Sequence, residues 1–86
     1  MKIVFSKKAE KELDDAEQNL RKLFIKHSEK ISLMPPRRHL RFGLPFNVEE
    51  VTRQARIVYN TEEGVCFILH CFKTHKEYEK WYKSFK

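Results

Sequence analysis

Ala55-Arg56-Ile57-Val58-Tyr59-Asn60, the acidic turn Thr61-Glu62-Glu63-Gly64, then Val65-Cys66-Phe67-Ile68-Leu69-His70-Cys71-Phe72-Lys73 read as two β-strands and the tight turn that joins them. The second run is almost continuously apolar, as a central strand covered on both faces would be. Thr74 can N-cap a closing helix from His75 to about Phe85, in which Tyr78, Trp81, Tyr82 and Phe85 recur at three- and four-residue steps. Arg56 lies in the first strand, and His70, Lys73 and His75 crowd the end of the second. Antiparallel pairing brings these cations to one end of a small sheet, where a polyanion would be held.

Upstream, Met1–Phe5 reads as a short strand and Ser6 as a helix N-cap. Ala9, Leu13, Ala16, Leu20, Leu23, Phe24, His27 and Ile31 then fall at helical spacing to about Ser32, with Lys and Glu filling the other face. Asp15-Ala16-Glu17-Gln18 has the form of a capping box, so one long helix and a hairpin broken near Asp14 both fit. Met34-Pro35-Pro36 ends the helix. Arg37, Arg38, His39 and Arg41 form a basic connector, either a solvated loop or a strip of phosphate contacts. Gly43-Leu44-Pro45 is a turn, and residues 48–60 are rich in β-formers. The expected architecture is α+β: a small antiparallel sheet of about four strands, packed against the helical region and followed by a C-terminal helix.

The chain has 86 residues, which predicts a single domain over 1–86. A hydrophobic share of 41% supplies a core, and 35% charged residues with two glycines argue for regular elements over disorder. A net charge of +6 favours nucleic acid, anionic lipid or an acidic protein as partner. No apolar run approaches the roughly 20 residues of a membrane span, and Lys2-Ile3-Val4-Phe5 is strand-like, not a signal peptide, so a cytoplasmic protein without membrane contact is expected. Cys66 and Cys71, five residues apart on one strand, are expected on opposite faces as reduced thiols. Strand alternation would likewise scatter a zinc set of Cys66, His70, Cys71 and His75, so neither metal nor cofactor is expected.

The order of strand, helical segment and antiparallel sheet, with Ala55-Arg56-Ile57-Val58-Tyr59 and the basic-aromatic segment Lys73–Trp81, resembles the RelE/ParE superfamily of type II toxins. The resemblance covers nearly the whole chain in element order, but its specific part is those two segments. It implies a toxin paired with a small antitoxin protein: RelE-like members cut mRNA on the ribosome, and ParE-like members poison DNA gyrase. Arg56 matches the motif arginine that contacts the scissile phosphate, Lys73 a basic position ending the last strand, and Tyr78 a C-terminal tyrosine that serves cleavage or stacks on a base. Attack by a 2′-hydroxyl on its neighbouring phosphate needs a base, an acid and cations for the charge developing between them. His75 is the nearby side chain best able to exchange protons at neutral pH. The expected catalytic residues are therefore Arg56, Lys73, His75 and Tyr78, with Arg37, Arg38, Arg41 and Arg53 along the nucleic acid.

The chain departs from the RelE pattern where Glu49 and Val51 stand at basic positions and Thr52-Arg53-Gln54 fills the following turn. Glu50 is then a possible base, as carboxylates are in some relatives. The alternative is a ParE-like toxin that inhibits by binding, or an inactive RNA-binding relative, for which the acidic pair Glu49 and Glu50 is no handicap. On simpler readings Arg53 and Arg56 pair with Glu49, Glu50 or Glu62 across the sheet, His70 is a packed strand residue, and Tyr78, Trp81 and Tyr82 belong to the core.

Overall fold

A strand that is apolar on both faces needs a cover on each side, and the chain supplies two. The computed structural model describes residues 1–34 and 46–84. Its elements are β1 (Lys2–Phe5), α1 (Lys7–Asp15), α2 (Gln18–Leu33), β2 (Asn47–Glu50), β3 (Arg56–Glu62), β4 (Val65–Phe72) and α3 (His75–Lys83). The four strands form one sheet in the order β1-β4-β3-β2. Ala9, Leu13, Ala16, Phe24 and Ile31 of the helical hairpin pack on Ile57, Tyr59, Cys66, Ile68 and Cys71. On the opposite face Phe46, Val58, Phe72 and Tyr78 gather with Val48, Leu69, Trp81 and Tyr82, so that α3 is the second cover.

The expected α+β architecture holds, with one amendment to the sheet. β2, β3 and β4 are antiparallel, but β1 pairs parallel to β4, with Val4 beside Phe67. The helical hairpin covers one face of the sheet, with the end of α2 beside the start of β1, where Met1 N donates to Ser32 O at 2.8 Å, and the meander β2-β3-β4 returns β4 alongside β1 in the same direction. Parallel pairing needs a long crossover of this kind, and no pattern within β1 itself announces it.

Two helices form where one was also possible. Ala16 and Glu17 are extended between them, and the N-cap Glu17 makes no side-chain capping bond, so the box expected from Asp15 does not form. Arg21 closes the joint instead: Nε donates to the Leu13 carbonyl at 2.9 Å, and Nη2 donates to those of Asp14 at 3.1 Å and Ala16 at 3.0 Å. One guanidinium thus satisfies carbonyls that the end of α1 leaves open. Ser6 caps α1 as expected, accepting from the Ala9 amide, and its hydroxyl donates to Leu69 O at 2.8 Å.

Two irregularities set which side chains face which way. β3 runs on to Glu62, and the connection to β4 is the two-residue turn Glu63-Gly64, with φ of +46° and +77°. Positive φ at both central positions gives the strand twist a hairpin requires, and Gly64 meets it without a Cβ penalty. Gly64→Ala should therefore cost about 1 kcal/mol through backbone strain alone, since nothing lies within 4 Å of the added methyl; a fall of about 4–8 °C in thermal midpoint would register it.

The second irregularity is a bulge at Leu69, where the register passes from Tyr59–Ile68 to Val58–His70. It reverses the alternation, and Cys66, Ile68 and Cys71 all join the core under the helical hairpin. The expectation that the two cysteines point to opposite faces is thereby corrected. Both remain free thiols, as five strand residues span about 16 Å, beyond disulfide reach. Burial, with Glu12 adding to it, pushes the Cys71 thiol up to about 12, and burial also raises Cys66, so neither is a nucleophile at neutral pH.

Candidate functional site

The strand register brings the sequence-predicted cations together. Glu50 of β2 lies opposite Arg56 of β3, and Arg56 lies opposite Phe72 of β4, so three strand ends stand abreast where the chain enters Lys73. Alternation directs Glu50, Arg56 and Phe72 to the face that carries α3. Thr74 starts that helix with a complete capping box: its hydroxyl accepts from the Glu77 amide at 3.1 Å, and Glu77 accepts from the Thr74 amide at 3.3 Å. The His75 amide donates to Gln54 Oε1 at 3.4 Å, which ties the start of α3 to the turn at 51–55.

Arg56 is built into that turn. Its Nη1 donates to the carbonyls of Thr52 at 2.9 Å, Arg53 at 3.1 Å and Ala55 at 3.0 Å. Nη2 stands 3.9 Å from Glu50 Oε1, and the Arg56 side chain is 12% exposed while that of Glu50 is 68% exposed. The pairing of Arg56 with Glu50 across the sheet is thus present, but at a length where the turn carbonyls dominate. Arg53 and Lys73 are exposed on the same end of the sheet, and His75 is partly exposed with Nδ1 3.8 Å from Glu79 Oε2.

Tyr78, to which the resemblance gives a part in cleavage or in stacking on a base, lies in the core, as the alternative reading had it. It is 2% exposed, packed between Phe72 at 6.2 Å and Tyr82 at 5.0 Å, with the His75 ring at its edge. Three residues beyond His75 is one helical turn further along the inward face, and that turn is against the sheet. Arg37, Arg38 and Arg41 lie outside the described residues. With Lys86 they are four of the cations behind the net charge of +6.

Two histidine–carboxylate pairs that join different elements, besides His75–Glu79 within α3, were not anticipated. His27 Nδ1 and Lys30 Nζ both meet Glu49 Oε2, at 2.9 and 3.1 Å, and fasten α2 to the edge strand β2. His27 stands among the apolar positions of α2, and a polar residue on an inward stripe needs a buried partner, which was the available signal. Burial pulls the Glu49 carboxyl upward, but the hydrogen bonds from His27 and Lys30 outweigh it and hold the group below its ordinary value. A depressed carboxylate contributes stability that is present above its unfolded value and is lost as pH falls through the folded one. Glu49→Gln should therefore lower the thermal midpoint at pH 7, and the gap to the parent should close below about pH 4, read by thermal unfolding across pH.

His70 Nδ1 lies 3.1 Å from Glu12 Oε2, and Glu12 Oε1 also accepts from the Cys71 amide at 2.9 Å. The His70 ring stacks on Phe72 at 4.7 Å with Trp81 at 5.0 Å. His70 is thus a packed residue joining α1, β4 and α3, as its apolar setting indicated. Among the described residues no group of three or more His, Cys, Asp or Glu side chains is arranged to hold a metal ion, and no helix is long and apolar enough to cross a membrane.

No protein-family profile and no curated protein sequence matches the chain. Solved structures do. The YoeB-YefM complex from Staphylococcus aureus aligns with a TM-score of 0.63 at 16% identity, covering 83% of this chain and 93% of that one. A heterotetrameric complex of the same toxin-antitoxin pair gives the same values: 0.63, 16%, 83% and 93%. The YoeB/ParE toxin from Agrobacterium tumefaciens aligns with a TM-score of 0.58 at 13% identity, over 83% of this chain and 95% of that one. At such identities the likeness is one of backbone arrangement, reached independently of the Arg56 motif: the chain shares the fold of these YoeB and YoeB/ParE structures.

Proposed function

We propose that the protein is the toxin of a toxin-antitoxin pair and that it acts as a ribosome-associated endoribonuclease on mRNA. The observation that carries the reading is the juxtaposition of Glu50 with Arg56 across β2 and β3, at the end of the sheet shared by Arg53, Lys73 and His75. The similarity of fold to proteins solved as toxin-antitoxin complexes supports it. On this reading Glu50, a solvent-facing carboxylate, takes the proton of the 2′-hydroxyl. That oxygen attacks the adjacent phosphorus, the bond to the 5′-oxygen breaks, and His75 returns a proton to the leaving oxygen. Arg53 and Lys73 stabilise the phosphorane charge, Arg56 holds the turn that carries Arg53, and Tyr78 supports His75 from the core. No metal or cofactor is needed for this chemistry. The site of action is the cytoplasm, and the partner is a small acidic antitoxin that covers the basic end of the sheet and silences it.

The test is cleavage of a defined mRNA on purified ribosomes, beside growth arrest on induction and its relief by the product of an adjacent gene. Cleavage that depends on the ribosome, together with relief by the neighbour, is the expected result. Growth arrest without RNA cleavage, accompanied by loss of gyrase supercoiling, would replace it with the ParE-like binding inhibitor; the burial of Tyr78 is the observation that favours that second reading.

A further inference from the structure

The turn at 51–55, exposed at Arg53 and Gln54, is densely cross-bonded. The amides of Val51 and Thr52 donate to Ala55 O at 3.0 and 3.4 Å, and the Thr52 hydroxyl accepts from the amides of Gln54 at 3.2 Å and Ala55 at 2.9 Å. Arg56 Nη1 adds the three carbonyl contacts already described, one of them to the backbone of Arg53 itself. All of this fixes a segment whose outward cation is Arg53. That side chain is exposed, and among the described residues it makes no hydrogen bond or ion pair.

We propose a division of labour between the two arginines: Arg53 makes the contact to the RNA phosphate, and Arg56 is the positioning residue that holds it out. The proposal rests on the RNA-directed reading above. A phosphate approaching Arg56 would have to displace the Glu50 carboxylate and reach a guanidinium that is 12% exposed and whose Nη1 protons are already shared among carbonyls. The same phosphate meets in Arg53 a full fork of uncommitted donors. The Gln54–His75 bond then sets the turn beside the start of α3, where Lys73 and Lys76 are exposed and equally uncommitted among the described residues. The phosphate-facing set is therefore Arg53, Lys73 and Lys76, and the motif arginine lies behind it.

The experiment counts phosphate contacts from the salt dependence of binding, using the whole protein and a single-stranded 2′-O-methyl RNA oligonucleotide, which lacks the attacking hydroxyl. Each contact on a single strand contributes about 0.7 to the slope of log K against log salt. Arg53→Ala should weaken binding and lower the slope by about 0.7, and Arg53→Lys should restore the slope. Arg56→Lys should leave the slope unchanged while speeding amide hydrogen exchange at Gln54 and Ala55, since one ammonium cannot hold three carbonyls. A lower slope for Arg56→Lys with an unaltered slope for Arg53→Ala would overturn the assignment, as would Gln54 and Ala55 amides that stay protected. If the Arg56 variant fails to fold, Arg53→Ala decides alone, because its side chain supports nothing. If the parent protein binds the oligonucleotide with no salt dependence, the RNA reading and the phosphate role of Arg53 fall together, and the exchange data still judge the positioning role of Arg56.

Discussion

Arg56→Ala is expected to abolish growth arrest and to lower the cleavage rate roughly a hundredfold, because catalytic groups displaced by about 1 Å lose that much. The variant should also be less stable. Three carbonyls, of Thr52, Arg53 and Ala55, lose their donor. Water at this partly exposed turn replaces some of it, which leaves a net cost of about 2 kcal/mol and a thermal midpoint about 10 °C lower in a domain of this length. Arg56→Lys should recover part of the stability and less of the activity, since an ammonium lacks the planar fork that reaches several acceptors at once. Growth arrest on induction, with thermal unfolding of each purified variant, checks both effects. Full toxicity in a folded Arg56→Ala protein, with Glu49→Ala or Trp81→Ala silencing it, would end the RNA-cleaving assignment in favour of inhibition by binding.

Phe24→Ala should have the largest effect on stability. Phe24 is fully buried where α2 meets the sheet, in the same cluster as Leu13, Ile31, Ile57 and Ile68. Removing a buried phenyl ring costs about 3–5 kcal/mol, the lost transfer energy plus the cavity left behind. A domain of 86 residues holds roughly 4–13 kcal/mol in total. The thermal midpoint should fall by about 15 °C or more, and any loss of toxicity should follow from depleted folded protein, with the rate per folded molecule unchanged. A variant whose midpoint moves by less than about 5 °C would show that the hairpin does not seal this face of the sheet.

The elements legible from the chain are those decided within a few residues. Ser6 and Thr74 were readable as caps because each satisfies amides within one turn of itself, and Pro35 marked the end of α2 through the restriction it places on Met34. Gly64 announced the β3–β4 turn, and the helical spacing of Ala9, Leu13, Phe24 and Ile31 announced the covered face. The grouping of Arg56, Lys73 and His75 followed from antiparallel pairing, which a short turn all but enforces.

Other features were settled only by contacts between distant parts of the chain. The capping pattern at Asp15 fitted a restart of the helix, yet Arg21 closes the joint by a route that no capping rule encodes. The parallel partner of β1 lies more than sixty residues away, at Val65–Ile68. The bulge at Leu69 reverses a strict alternation, and with it the faces of Cys71 and His70. Tyr78 had the spacing of either a core residue or a site residue, and only the seating of α3 on Phe72 and Val58 buried it. Arg56 reads in the chain as a phosphate contact or as a partner of a cross-strand glutamate, and its bonds to three turn carbonyls are not written there, because a side chain's charge is in the sequence but its hydrogen-bond partners are not. Local backbone energetics acts over a turn or a strand pair and leaves its mark on the pattern of residues. Register, burial and the commitment of donors depend on which surfaces meet, and in this protein they commit the Arg56 guanidinium to the turn and leave Arg53 exposed.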